Sequence, residues 1–144
     1  MSDHGFDYDR GVRLLGSILW MDAARRDVLS FVSSARVDRA AALQRVVCTD
    51  RTRTLLRAQR PDFTALIAPF HRRLMVGPLE LTMLPAGFAP GSAQLLVEKA
   101  GEPFLYVAHI SLEPHRMAEE PVFVQAPTLV LRTQIGRASC RERV

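Results

Sequence analysis

The chain has 144 residues, 48% of them apolar and 24% charged, and its formal net charge is +4. This length suits one domain with a modest core, and the composition excludes a disordered chain. No apolar stretch is long enough to cross a bilayer, and the polar N-terminus "MSDHGFDYDR" is neither a secretory signal nor an arginine-rich transit peptide. We therefore expect a cytoplasmic protein without a membrane partner.

The first half of the chain alternates short apolar runs with helix-forming segments. The apolar runs predict strands near Val12–Leu15, Ile18–Met21, Val28–Ser33 and Val46–Thr49. Aspartates suited to N-capping predict helices over Asp38–Arg45 and Asp50–Arg60, the second of which stops at Pro61.

The second half reads as short strands broken by proline and glycine. Leu79–Leu84 alternates between apolar and polar residues, Glu98–Pro103 predicts a hairpin turn, and Thr128–Leu131 is the last predicted strand. Strands dominate the prediction, and the two helices both lie in the first half of the chain. This arrangement predicts an α/β domain that consists of a sheet with helices on one face.

The histidines and cysteines show no metal-binding spacing. Cys48 lies in the apolar run "RVVCT" and is expected to be a core residue, and a disulfide to Cys140 is not expected. The segment His71–Arg73 is open to two interpretations, a solvated turn or a phosphate clamp.

The last ten residues, "IGRASCRERV" at 135–144, differ from the rest of the chain. They resemble a translated sequencing adapter, because ATC GGA AGA GCG TCG TGT AGG GAA AGA GTG encodes them in order. Without their three arginines and one glutamate, the 19 basic and 15 acidic residues fall to a net charge of +2. We expect 134–144 to be a non-native tail on a product that continues beyond Thr133. The alternative is a genuine disordered basic tail.

A resemblance to a known family begins at "FVSSARVDRA", residues 31–40. A strand, a polar turn and a helix in this order resemble the first metal motif of the metallo-β-lactamase fold, His-x-His-x-Asp-His. Aligned on the flanking residues, the four ligand positions are Ser34, Arg36, Asp38 and Arg39.

Two later segments fit the same register. "PAGFAPGSAQLLVE", residues 85–98, resembles the family's Pro-Ala-Gly-His…Gly-Ser-Ala-Gln segment and places Phe88 at the next histidine ligand. "FLYVAHISLEP", residues 104–114, resembles the segment that ends in Tyr-Thr-Gly-Asp, and His109 takes the position of the aspartate that bridges two metals.

The resemblance covers Gly11 to Thr133 and implies the N-terminal part of a metallo-β-lactamase αββα sandwich, truncated, with a mixed sheet and helices on one face. The implied organisation is a polar segment over 1–10, a partial metallo-β-lactamase-like domain over 11–133 and the tail over 134–144. The likeness is greatest to the nuclease-like branch, which includes the DNA-ligase-associated exonucleases and the messenger-RNA 3′-end-processing factors (the β-CASP group). Those proteins hydrolyse phosphodiesters with two zinc ions.

The ligand positions of this chain depart from that chemistry. Only Asp38 is the expected type, and His109 would put a neutral donor where the family has a bridging anion. Arg36 and Arg39 stay protonated and have no lone pair to give, so they repel a metal instead of binding it. We therefore expect no metal, no other cofactor and no hydrolysis, which describes a catalytically inactive member of the fold.

The charged turn has two interpretations that the sequence leaves open. In one, Asp38 forms an ion-pair cluster with Arg36 and Arg39 and no ligand is bound. In the other, the two arginines together with His109 bind phosphate, and the partner is nucleic acid or a protein of DNA repair or RNA processing.

Three further alternatives remain. An active hydrolase would hold a displaced or single metal with Asp38 and His109. Ser34 and His109 would act as nucleophile and base only within hydrogen-bond reach of each other. A non-functional fragment of a gene would expose an apolar face and self-associate through it.

Overall fold

A computed structural model describes residues 5–8, 10–23, 25–35, 44–59, 62–111, 116–133 and 139–142. These ranges hold one α-helix, α1 (Asp50–Gln59). They hold twelve strands: β1 (Phe6–Tyr8), β2 (Val12–Leu14), β3 (Leu19–Met21), β4 (Leu29–Phe31), β5 (Arg45–Cys48), β6 (Thr64–Ile67), β7 (Arg73–Val76), β8 (Leu79–Pro85), β9 (Ala93–Lys99), β10 (Glu102–Val107), β11 (Leu129–Thr133) and β12 (Ser139–Glu142).

The first sheet has the strand order β1-β2-β3-β4-β5-β6. Its first three strands are antiparallel, and β3 to β6 run parallel. The parallel strands therefore end at one common edge, and α1 makes the connection from β5 to β6. The turns that follow β3, β4 and β5 all start from that edge.

The second sheet has the order β12-β11-β10-β9-β8-β7. Strands β7 to β10 form an antiparallel meander, and β11 joins β10 in parallel. The meander places the β8–β9 loop beside the end of β10, because antiparallel neighbours connect at alternate edges.

The two sheets enclose the main core. Alternate residues of the first sheet, such as Met21, Phe31 and Val47, are fully buried and join one apolar cluster with Leu95 and Tyr106 of the second sheet. The residues between them, such as Trp20 and Val46, face the other way and pack in a second cluster with Leu56 of α1. Period-two alternation thus gives the first sheet two apolar faces.

Most predicted elements are confirmed, with three differences. The strand pattern predicted one sheet, but the structure has two mixed sheets, because the strands after β6 form a sheet of their own; two sheets agree with the αββα sandwich that the resemblance implies. The helix predicted over Asp38–Arg45 lies mostly outside the described residues, but the prediction is wrong for its last two residues, since Gln44 lies in a bend and Arg45 opens β5. The cap of α1 is Thr49, whose hydroxyl accepts a hydrogen bond from the Thr52 N–H at 3.3 Å, and Asp50 is the first helical residue.

The domain boundaries remain a prediction. Strand β1 lies inside the segment expected to be a polar N-terminus and pairs with β2, and β12 lies inside the predicted tail and pairs with β11. The helix in the described ranges is too short and too polar to cross a membrane.

Candidate functional site

A buried aspartate organises the edge where the parallel strands end. Asp22 follows β3 and is fully buried. Its Oδ1 accepts a hydrogen bond from the Ser33 N–H at 2.8 Å, and its Oδ2 accepts one from the Tyr106 hydroxyl at 2.8 Å. The carboxylate therefore ties the exit of β4 to the second sheet, and it fixes where the first motif begins.

The exit of β4 is also tied to the second sheet through its backbone. The Ser33 carbonyl accepts a hydrogen bond from the Ala93 N–H at 2.8 Å, at the start of β9. Ser34, which comes next, is fully buried. The predicted first metal motif thus starts from a segment that is hydrogen-bonded to Asp22 after β3 and to Ala93 of β9.

The β8–β9 loop, residues 86–92, is held by one hydroxyl. Ser92 Oγ accepts hydrogen bonds from the N–H groups of Phe88 and Ala89, both at 3.0 Å. The Ser92 N–H donates to the Ala89 carbonyl at 2.9 Å, and the Ala86 N–H donates to the Ser92 carbonyl at 3.1 Å. The backbone of Phe88 is thereby fixed by the loop itself.

Gly91 fastens this loop to the N-terminus of α1. Its carbonyl accepts hydrogen bonds from Thr49 Oγ1 at 2.7 Å and from Thr52 Oγ1 at 3.0 Å. The residue has φ +80°, and a Cβ there would lie 2.8 Å from both the Arg51 Cβ and the Thr52 nitrogen. Only glycine fits this conformation in this space.

The chain segment after residue 116 closes over the same loop. Glu119 accepts a hydrogen bond from the Gly91 N–H at 2.9 Å and forms an ion pair with Arg51 at 2.9 Å. Burial alone would raise the pKa of Glu119, but the Gly91 N–H and the Arg51 guanidinium outweigh it and hold that pKa below its ordinary value.

A buried glutamine makes a second connection to this segment. Gln94 is 1% exposed, and its Nε2 donates to the carbonyls of Pro85 at 2.9 Å and Val122 at 2.6 Å. Gln94 and Glu119 thus hold the segment at two points against the β8–β9 loop.

Two of the predicted ligand positions meet in an aromatic stack. The rings of Phe88 and His109 lie 4.4 Å apart between centroids, with an angle of 16° between their planes. Both residues are partly exposed. The Ser111 N–H donates to the Ala86 carbonyl at 3.1 Å, which keeps the chain after His109 against the loop that carries Phe88.

The six predicted site residues divide into two groups. Ser34, Phe88 and His109 lie among the described residues, and the structure brings the last two into contact. Arg36, Asp38 and Arg39 lie outside the described residues. The ion-pair cluster and the phosphate site therefore stay predictions.

The donor set of the described positions does not fit the family's two zinc ions. Ser34 offers a neutral hydroxyl, Phe88 offers no donor, and the ring face of the single imidazole at His109 rests on a phenyl ring. Within the described ranges, no three histidine, cysteine, aspartate or glutamate side chains lie close enough together to share a metal.

Sequence reasoning missed the residues that support this edge. Asp22, Thr49 and Glu119 carry no motif, and each looks like an ordinary turn, cap or loop residue. Tyr106 falls at the tyrosine of the Tyr-Thr-Gly-Asp resemblance, but nothing in the sequence connects it to Asp22. The available signal was Asp22, a carboxylate placed directly after an apolar strand at the edge where the parallel strands end.

Comparison with known proteins places the fold. No family model matches the chain. Over 70% of its length it superimposes with a TM-score of 0.53 and 15% identity on a Cronobacter sakazakii metallo-β-lactamase HARLDQ-motif mutant S60, of which it covers 56%. Over 67% it superimposes with a TM-score of 0.50 and 11% identity on YhfI from Bacillus subtilis, a metallo-β-lactamase fold protein of which it covers 52%. The chain has the metallo-β-lactamase fold.

A sequence relative gives a more specific likeness. The chain is 32% identical over 122 residues to a probable DNA ligase of Opitutus terrae. The match takes in 82% of this chain and 12% of the relative, so the chain spans about an eighth of that protein's length.

Proposed function

We propose that this chain is a catalytically inactive domain of the metallo-β-lactamase fold, related to the nuclease-like branch. The domain binds nucleic acid and acts together with a DNA ligase. The observation that carries the proposal is the stack of Phe88 on His109 at 4.4 Å. In the alignment that the resemblance implies, two positions that hold metal in the family carry a phenyl ring and an imidazole ring, and these pack on each other. The similarity to part of a probable DNA ligase supports the biological setting.

Without metals, the arginines of the charged turn would be the groups that contact the ligand. Arg36 and Arg39, with His109, would contact phosphate oxygens, since a guanidinium donates two parallel hydrogen bonds to such a group. Asp38 would orient the two arginines. The domain would then hold a phosphodiester without ionising a water to attack it.

An active hydrolase is the second candidate, because one comparison favours it. The HARLDQ motif of the Cronobacter protein shares alanine, arginine and aspartate with "SARVDR", residues 34–39 of this chain. A protein named a metallo-β-lactamase thus has arginine and aspartate in the same order as Arg36 and Asp38. In this second candidate, Asp38 and His109 would hold an altered metal site.

Metal analysis of the purified chain separates the two candidates. We expect less than stoichiometric zinc and manganese, and no cleavage of single-stranded DNA in the presence of either ion. Stoichiometric metal with phosphodiesterase activity would establish the second candidate instead.

A restored variant provides the matched control. The substitutions Ser34→His, Arg36→His, Arg39→His, Phe88→His and His109→Asp, with native Asp38, recreate the family's six ligands. If the alignment is right, this variant takes up zinc where the native chain does not. Failure of a folded restored variant to bind zinc would contradict the alignment of the ligand positions.

Nucleic-acid binding is tested by a salt titration with a fluorescein-labelled single-stranded oligonucleotide. Arg36→Ala combined with Arg39→Ala should weaken binding and reduce the slope of log K against log salt by about 1.4, since each phosphate contact to a single strand contributes about 0.7. Arg72→Ala with Arg73→Ala removes the same charge from two exposed residues at the start of β7 and should leave most of the slope in place. Equal losses in both pairs would mean that only net charge matters.

A further inference from the structure

The Phe88–His109 pair differs in geometry from the aromatic contacts of the core. Phe31 meets Tyr106 at 89° and Phe6 meets Phe104 at 84°, so those rings touch edge to face inside the sandwich. Phe88 and His109 instead lie nearly parallel, at 16°, and both are partly exposed. Parallel rings at a surface present flat area, which edge-to-face pairs in a core do not.

The flat pair is held in place before any ligand arrives. Ser92 Oγ fixes the backbone N–H of Phe88 at 3.0 Å, and the Ser111 N–H anchors the chain after His109 at 3.1 Å. Gly91 locks the far end of the loop onto the threonines of α1. Binding to such a rigid surface loses little conformational entropy.

A cation lies at the other end of the same loop. Arg51 stands in the first turn of α1, and a Cβ on Gly91 would lie 2.8 Å from its Cβ. Its side chain keeps 46% exposure although it is bonded to Glu119. A ligand with a flat apolar face and a neighbouring anion fits this aromatic pair at one end of the β8–β9 loop and an arginine at its other end.

We propose that the Phe88–His109 pair is a stacking platform for a nucleobase of a single-stranded nucleic acid. The inference rests on the proposed function, because it names the part of the strand that this site binds. Stacking on an aromatic ring accepts any base, so the platform contributes affinity with little sequence preference. The position that binds metal in the family would here bind a base.

The test uses single-stranded oligonucleotides that carry 2-aminopurine, whose fluorescence is quenched when it stacks on a ring. Phe88→Leu keeps an apolar side chain but removes the flat face, and it should weaken binding about 5- to 160-fold and abolish the quenching. Its salt slope should stay unchanged, because no phosphate contact is lost. Phe88→Trp keeps a flat face and should retain both affinity and quenching.

Phe123→Leu is the matched control, because Phe123 is a phenylalanine with 63% exposure that is not one of the two stacked rings. It should bind like the native chain. Native affinity and native quenching in Phe88→Leu would overturn the platform while leaving nucleic-acid binding intact. A native chain that binds no single strand at all would overturn the proposed function, and the platform with it.

Discussion

Two sets of residues meet at the edge where the parallel strands end: residues that support the backbone and residues at the predicted ligand positions. The supporting residues are Asp22, Thr49, Thr52, Ser92 and Gln94, each of which is at most 4% exposed and donates or accepts hydrogen bonds within the protein. The predicted ligand positions in the described residues are Ser34, Phe88 and His109, where the resemblance implies that the family's metal donors are replaced. Hydrogen bonds within the protein hold the backbone around these positions.

The supporting residues are also the ones that connect the two sheets. Asp22 bonds Tyr106 across the sandwich, and Gly91 joins the β8–β9 loop to α1 through two threonine hydroxyls. Buried polar groups are costly when one partner is removed, because the other is left without a hydrogen bond. Substitutions among the supporting residues should therefore destabilise the chain more than substitutions at the predicted ligand positions do.

The largest effect is expected at Asp22. Asp22→Ala removes the carboxylate that accepts hydrogen bonds from the buried Ser33 N–H and Tyr106 hydroxyl, and each lost bond costs about 1–3 kcal/mol. The free energy of unfolding in urea should fall by about 2–6 kcal/mol. Asp27→Ala is the control, because that carboxylate is 70% exposed in its ion pair with Arg25 and should change stability far less than Asp22→Ala does. Equal effects of the two substitutions would contradict the supporting role of the Asp22 hydrogen bonds.

The sequence predicts those features of this arrangement that depend on neighbouring residues, and it does not predict contacts between distant segments. Apolar alternation and Pro61 predicted the strands and α1, because burial and helix termination act on neighbouring residues. The Phe88–His109 contact joins the ends of different strands, and only the family resemblance set the two residues at one site. Asp22 was not singled out, since a single aspartate in a turn has the same local pattern whether it is solvated or bonded to Tyr106.

A smaller effect is expected at Gly91. Gly91→Ala adds a Cβ at 2.8 Å from the Arg51 Cβ and the Thr52 nitrogen at φ +80°. The left-handed backbone costs about 1–2 kcal/mol and the overpacking about 1–3 kcal/mol more. Gly77→Ala is a matched control, because Gly77 has φ +58° and open space around its Cβ position. It should show the backbone cost alone, so a stability difference near zero between the two variants would contradict the close approach.

The smallest effect concerns the contact between Glu119 and the β8–β9 loop. Glu119→Gln keeps an acceptor for the Gly91 N–H but loses the charge that pairs with Arg51, and at pH 7 it should cost about 1 kcal/mol in this partly exposed position. The pKa of Glu119 is lowered in the folded chain, so its charge stabilises the fold above the ordinary pKa of about 4.3. That contribution disappears as the pH falls through the folded value.

Urea unfolding at a series of pH values from 7 to 3 would measure this contact. The native chain and Glu119→Gln should differ in stability at neutral pH and converge at the acidic end, while Glu120→Gln, an exposed neighbour, should follow the native chain throughout. A constant difference across the series would assign the effect of Glu119→Gln to packing and not to its charge. The segment after residue 116 would then be held over the loop by Gln94 and by shape, with the Arg51 ion pair contributing nothing measurable.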